Sequence, residues 1–337
     1  MDAIKILFFK PGAIGDFLHT LPTLSSLKNH YPDAHITVVV SPGVDSLIQG
    51  TDIADAVLIY DKRLLKKHPA EFLQLGLRLR RERYDLFVDL QPSIRSLILR
   101  KIAAAARTLV YRKQKKTPVG GRRLHAAENF AKTLAPIGID NPVEHILLPL
   151  SEKTVAEAGR FLARHGVRED KPLVALNCSV GAARPARNWF PERFADLADR
   201  LIEQAGVVIV FVGGAEDRGL VAAVCSRMKN KAISATGELS LAQTAGLLSR
   251  CACLVSSDTG PLHLATAVQT PVVGLYGSTD PTRTGPVGKG HAVIIKDLPC
   301  IPCEEKDCPQ GTRPCMAAIT VDEVYESVVN MVLRKKL

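Results

Sequence analysis

Ser257-Asp258-Thr259-Gly260-Pro261-Leu262-His263-Leu264-Ala265 follows an apolar run, Cys251 to Ser256, that predicts a buried strand. The same stretch opens a helix. Pro261 is pre-organised for the first helical position, and Gly260 suits the cap before it. A strand that ends in a small-residue turn and feeds a helix N-terminus makes an anion site. Unpaired backbone N–H groups and the positive end of the helix dipole converge there. Asp258 and His263 flank that spot, and a diphosphate is the guest it suits.

Outward from this stretch, strand-like and helix-like patterns alternate. Short apolar runs occur at Ile4–Phe9, Ile36–Val40, Ala56–Tyr60, Leu86–Leu90 and Thr108–Tyr111. They restart at Leu173–Leu176, Val207–Val212, Ala232–Ser234, Ala252–Val255, Val272–Tyr276 and Ala292–Ile295. Amphipathic stretches such as Asp16–Asn29, Pro69–Glu82 and Ser93–Ala104 lie between them. This is the βαβ signature of parallel sheets covered by helices. The break falls near Pro142–Pro149 or Glu169–Pro172. The expected organisation is one unit over 1–150, a second over 151–320 and a terminal helix over 321–337. Two doubly wound, Rossmann-like units would face each other across a cleft, with ligands outside the carboxyl ends of the strands.

The 337 residues suit two domains of ordinary size, and 46% hydrophobic residues suffice for two cores. No apolar run approaches the roughly 20 residues of a membrane span. Ile4 to Phe9 is followed by Lys10-Pro11-Gly12, so it reads as a first strand and not a signal peptide. The expected compartment is the cytoplasm, where eight cysteines read as thiols or metal ligands more readily than as disulfides. The net charge of +10 is uneven. Residues 1–150 hold 22 Lys/Arg against 14 Asp/Glu. The excess sits in Lys62-Arg63, Lys66-Lys67, Arg78 to Arg83, Arg112 to Lys116 and Arg122-Arg123. Each cluster alone reads as a solvated face, but their concentration points to an anionic partner. Aromatics are only 5% and no nucleic-acid motif accompanies the charge, which argues against nucleic acid.

Four further segments carry candidate chemistry. Lys10-Pro11-Gly12-Ala13-Ile14-Gly15-Asp16 joins the first strand to the first helix, and is neither a dinucleotide fingerprint nor a Walker loop. Asp16 reads as an N-cap or as a general base aimed from a strand end. Lys10 and His19 are polar partners or surface groups. In the loop Gly181 to Pro191, Arg184 and Arg187 sit where a phosphate clamp would be useful, and Trp189 would anchor the loop. Gly213-Gly214-Ala215-Glu216-Asp217 closes a strand. Glu216 could accept from ribose hydroxyls or complement a helix dipole. Cys300, Cys303, Cys308 and Cys315 resemble a metal knuckle, though the spacing is not the C-x2-C…C-x2-C of a ribbon; simple thiols or adventitious disulfides are favoured over structural zinc.

Together these motifs resemble glycosyltransferase family 9, the lipopolysaccharide heptosyltransferases. The pieces that match in order are G-x-x-G-D-x-L-H-T-L-P (Gly12 to Pro22), G-A-x-x-P-x-[KR]-x-W (Gly181 to Trp189), G-G-x-E-D (Gly213 to Asp217) and S-D-T-G-x-x-H-L-A (Ser257 to Ala265). The last continues into Tyr276-Gly277-Ser278-Thr279-Asp280-Pro281. The resemblance implies an α/β protein of the GT-B fold, with acceptor bound mainly by the first domain and nucleotide sugar by the second. It implies inverting, metal-independent transfer of heptose from ADP-heptose to the inner core of lipopolysaccharide, at the inner face of the cytoplasmic membrane. ADP-sugar is then a substrate, and no cofactor or metal is expected. Asp16 matches the catalytic base. Donor contacts fall on Ser179, Arg187, Glu216, Leu239, Asp258, Thr259, Gly260 and His263, and acceptor contacts on Lys10, Gly15 and His19. Many members carry Lys where Arg187 stands, and Arg replaces a compact ammonium with a planar fork.

Three other readings stay open. A relative could use a different nucleotide sugar or acceptor. A non-catalytic nucleotide-sugar-binding protein would keep the second-half motifs and lose Asp16. A basic nucleic-acid-binding protein would explain the charge but not the motifs. The sugar, the hydroxyl attacked, zinc at the cysteines and the oligomeric state are not legible in the sequence.

Overall fold

A computed structural model describes residues 3–113, 123–140, 143, 145–168, 170–181 and 184–334. Lys115, Lys116 and Arg122 of the basic clusters, and Ala182 and Ala183 of the arginine loop, lie outside the described residues. So do Pro142 and Glu169 at the two candidate boundaries. The chain divides into two compact units, Met1–Ser151 and Glu152–Leu337.

Among the described residues the first unit holds five strands: β1 Lys5–Phe9, β2 His35–Val40, β3 Ala56–Ile59, β4 Leu86–Asp89 and β5 Arg107–Val110. All pair in parallel in the order β3-β2-β1-β4-β5. Residues Ile6 to Phe9 and Leu86 to Asp89 are buried throughout. That burial on both faces is why these strands read as unbroken apolar runs. The helices Pro69–Glu82 and Ile94–Ala103 cover one face and send Leu79, Leu99 and Ala103 into a core with Leu7, Phe9 and Phe87.

The second unit holds β6 Leu173–Asn177, β7 Val208–Phe211, β8 Ile233–Ser234, β9 Cys253–Ser257, β10 Val272–Leu275 and β11 Ala292–Ile294. Its order is β11-β10-β9-β6-β7-β8, again all parallel. Counted from β6, this is the 3-2-1-4-5-6 order of dinucleotide-binding sheets, and the five-stranded sheet repeats its first five strands. The order reverses between β1 and β4 in one sheet and between β6 and β9 in the other. Loops diverge there and leave a crevice at the carboxyl ends. The helix Val321–Arg334 belongs to the second unit, sending Val324, Val328 and Val332 into its core beside Trp189 and Phe194.

Two local expectations are corrected. The stretch Asp16–Asn29 is not one helix but two, Ile14–Leu18 and Leu21–His30. Pro22 lacks an N–H and its ring excludes the carbonyl four residues back, so the first helix cannot run through it. At the decisive stretch, the cap is Thr259, with extended φ −148° and ψ 175°, and Gly260 opens the helix Gly260–Ala267 with Pro261 second.

Candidate functional site: the strand ends at two switch points

In the six-stranded sheet, every residue matched to donor binding lies after a carboxyl strand end. Ser179 and Arg187 follow β6, Glu216 follows β7, Leu239 follows β8, and Asp258, Thr259, Gly260 and His263 follow β9. Asn177, the last residue of β6, links the two central loops. Its Nδ2 donates to the Ser179 carbonyl at 2.8 Å, to Ser256 Oγ at 3.0 Å and to Thr259 Oγ1 at 3.1 Å. The turn before the helix Gly260–Ala267 is thereby tied to the neighbouring strand.

Asp258 is the electrostatic centre of this edge. Arg187 Nη1 donates to the Asp258 carbonyl at 2.8 Å and stands 2.9 Å from its Oδ2. His263 Nε2 lies 3.2 Å from Oδ1, and Thr284 Oγ1 donates to Oδ2 at 3.3 Å. Burial pushes the Asp258 carboxyl up, but His263, Arg187 and Thr279 together hold it below the usual carboxylate range. Burial pulls the Arg187 guanidinium below its ordinary range, against the opposing charge of Asp258. Arg187 Nε is buried without a hydrogen-bond partner. The loop that carries Arg187 is pinned by Trp189, whose Nε1 donates to the Ile319 carbonyl at 3.1 Å and whose ring meets Phe194 edge-on.

Glu216 and Leu239 sit on the loops one and two strands further along. Glu216 is exposed and Leu239 half-buried. The two loops are joined by Gly237 N–H donating to the Gly213 carbonyl at 3.1 Å and by Arg218, which bonds the Thr236 and Gly237 carbonyls. Asp217 Oδ2 accepts from Gly214 N–H at 2.8 Å, so it is Asp217 that closes the turn and Glu216 that projects from it.

At the switch point of the five-stranded sheet, Lys10 directly follows β1 and is buried, while the Asp16 side chain is 59% exposed. Lys10 Nζ lies 3.7 Å from Asp16 Oδ2, donates to Gln91 Oε1 at 3.1 Å, and sits 5.2 Å from the centre of the Phe130 ring. Burial lowers the Lys10 ammonium from its ordinary value, with Asp16 and Asp89 pulling the other way. Ala13 occupies the cap of the helix Ile14–Leu18, and Asp16 stands in its first turn. The cap reading of Asp16 is therefore corrected: the carboxylate is neither at the cap position nor buried. Gly15 lies beside it in the same helix, and its carbonyl accepts from His19 N–H at 3.0 Å. His19 is buried, with its ring edge-on to His125 at 5.1 Å.

Several contributing residues escaped the sequence reading. Asn177 and Asp89 each close a buried strand, and Gln91 follows β4. Asp89 accepts from Gln91 N–H at 3.0 Å and stands 3.2 Å from Arg100 Nε. A polar residue at the last position of an otherwise apolar strand was the available signal. The four late cysteines line one cavity with Ala186 and Ser278. All eight cysteines are free, and among the described residues no group of three or more His, Cys, Asp or Glu side chains is arranged to hold a metal ion.

Two Rossmann-order sheets, each with polar residues gathered at its switch point, define an α/β protein of the GT-B class. The pattern of glycosyltransferase family 9 (heptosyltransferase) matches residues 72–313. The chain belongs to this family and is a glycosyltransferase of the heptosyltransferase type. Lipopolysaccharide heptosyltransferase 1 of Pseudomonas aeruginosa is 27% identical over 329 residues, covering 90% of this chain and 87% of that protein. The glycosyl transferase family 9 structure from Veillonella parvula superposes with a TM-score of 0.86 at 24% identity, covering 99% of this chain and 98% of that one. The structure of E. coli ADP-heptose lps heptosyltransferase II gives 0.83 at 21% identity, covering 99% and 100%. These two likenesses are of fold.

Proposed function

We propose that the enzyme transfers heptose from ADP-heptose to the inner core of lipopolysaccharide, with inversion at the anomeric carbon and without a metal ion. The observation that carries this reading is the Arg187–Asp258–His263 cluster, with its carboxylate and imidazole buried, at the switch point of the six-stranded sheet. Arg187 has spent one nitrogen on Asp258 and retains a buried, unpartnered Nε donor. A diphosphate oxygen would satisfy that donor. The first N–H groups of the helix Gly260–Ala267 supply further donors there. Thr259 and Gly260 hold the diphosphate, Ser179 lines its loop, Glu216 takes the ribose hydroxyls and Leu239 packs on the base. Asp258 and His263 serve the donor sugar and orient Arg187. The names of the relatives support heptose and lipopolysaccharide as the transferred sugar and the acceptor class.

The chemistry assigned to the unit over 1–150 is that of the acceptor. Asp16 removes the proton of an acceptor hydroxyl as that oxygen bonds to the anomeric carbon. The bond from that carbon to the diphosphate oxygen breaks on the opposite face, and ADP leaves with the electron pair. Charge developing on the leaving group is met by fixed donors, the role a metal ion would otherwise take. Lys10 holds the Asp16 carboxylate in place from beneath, Gly15 leaves its approach open, and His19 supports the helix through His125. The basic character of residues 1–150 suits an acceptor bearing phosphates and carboxylates, presented at the inner face of the cytoplasmic membrane. Among the described residues no helix is long and apolar enough to cross a membrane.

The test is single-turnover transfer from a panel of nucleotide sugars to defined core acceptors, run with and without a chelator. ADP-heptose should be the productive donor, the product should carry the inverted linkage, and the chelator should leave the rate unchanged. Preference for another nucleotide sugar, or activity lost to chelator and restored by magnesium, would overturn the corresponding part of the proposal.

A further inference from the structure

Among the described large apolar side chains that stay exposed, five lie on two neighbouring helices of the first unit. The helix Pro69–Glu82 presents Leu73 and Leu77, and the helix Ile94–Ala103 presents Ile94, Leu97 and Ile98, with Ile94 at 80% exposure. The spacings are i, i+4 on the first and i, i+3, i+4 on the second, so each set forms one stripe. The core needs neither stripe, since Leu79, Leu99 and Ala103 already serve it. The helices touch at Gly76, where an added Cβ would come within 3.0 Å of Ile102, and Arg80 Nη1 donates to the Ile102 carbonyl at 3.4 Å.

Each stripe runs into cations. Arg80 and Arg81 stand three and four residues beyond Leu77, and Lys101 stands four beyond Leu97 and three beyond Ile98; Arg81 and Lys101 are exposed. The helix Ile94–Ala103 has no acidic residue. On its neighbour, Glu71 lies round the helix from the stripe and Glu82 is paired with Lys5 at 3.2 Å. Apolar side chains bordered by long cationic ones, with no carboxylate among them, match the chemistry of an interfacial helix on anionic lipid. A second copy of this chain docked face to face would need acidic groups facing the cations, and the face itself offers none.

We propose that this two-helix face docks the enzyme on an anionic phospholipid bilayer, with Leu73, Leu77, Ile94, Leu97 and Ile98 entering the headgroup boundary and Arg81 and Lys101 meeting phosphates. The inference deepens the reading of a lipid-borne acceptor and rests on it only for the source of the membrane. None of these side chains belongs to the transfer site.

The experiment is flotation of the full chain with vesicles of phosphatidylcholine alone, or of phosphatidylethanolamine with phosphatidylglycerol, at low and high salt. The wild type should float with the anionic vesicles and be released by salt. The triple variant Ile94→Ser, Leu97→Ser, Ile98→Ser should lose about tenfold or more in partitioning. The pair Arg81→Gln, Lys101→Gln should lose the anionic preference and flatten the salt dependence. Thermal melts and ADP titration accompany each variant, and both should stay at wild-type values. Equal flotation of wild type and triple variant would overturn the proposal. So would a concentration-dependent dimer, seen by sedimentation, that the serine variant abolishes while the wild type ignores vesicles. Failure of ADP binding or transfer with flotation intact would count against the transferase reading and leave the docking face standing.

Discussion

Asp258 is a buried carboxylate whose ionisation bears on stability. In the folded chain its carboxyl is held below the usual range by His263, Arg187 and Thr279, despite burial. The ionised form therefore contributes stability that is complete above the ordinary carboxylate value of about 3.9 and lost as pH falls through the lower folded value. Asp258→Asn should cost about 2–3 kcal/mol at neutral pH, because it leaves the half-buried Arg187 without its counter-charge. The difference from wild type should begin to shrink as pH falls below about 4 and be smallest once the folded carboxyl is itself protonated. Urea denaturation across that range checks it, and a difference independent of pH would contradict it. Asp89 acts with the opposite sign. Burial raises its carboxyl, so the folded chain holds the proton longer and stability declines as pH rises through that interval. Asp258 and Arg187 were legible in the sequence because they sit in loops where charge has no packing role. Asn177 and Asp89 were not, because a single polar residue closing a strand looks like the strand simply ending.

At the scale of elements, the strands were the legible part. Burial on both faces of a parallel sheet leaves unbroken apolar runs, and all eleven fall within a residue or two of the runs in the sequence. The short helices Lys62–Lys67 and Ala126–Ala131 were not anticipated. One is largely basic, and the other is capped by His125 rather than by a usual capping residue. The loop after β1 depends on a close approach that only glycine allows. A Cβ on Gly12 would stand 2.4 Å from Gln91 Oε1 and 2.6 Å from Lys10 Nζ. Gly12→Ala should therefore push Lys10 and Gln91 aside and release Asp16 from its position. Because the colliding atoms are side-chain ends, stability should fall by only about 1 kcal/mol. Turnover should drop about 10- to 100-fold through lost positioning. A variant with wild-type kcat would show that the Lys10–Asp16 arrangement has no part in transfer.

For the whole molecule, two sheets of the same strand order carry two different kinds of polar loop. The six-stranded sheet gathers donors and a buried carboxylate paired with a half-buried arginine, while the five-stranded one offers an exposed carboxylate beside a buried lysine. The alternation of patterns announced two such units, and the uneven charge is why an anionic partner is expected for the first. The sugar and the acceptor hydroxyl stayed illegible, because stereochemical choice is made by pocket shape and not by motif. The central claim is that Asp16 is the base of a metal-free transfer. Since Ala13 holds the cap, Asp16→Asn should leave the thermal melt within about 1 kcal/mol of wild type. The measurement is single-turnover transfer from saturating ADP-heptose to saturating acceptor, with ADP affinity determined on the same protein. The account predicts unchanged ADP affinity and a rate lower by roughly 10²- to 10⁴-fold, the range of general-base catalysis. A folded variant that binds ADP and transfers heptose near the wild-type rate would contradict it.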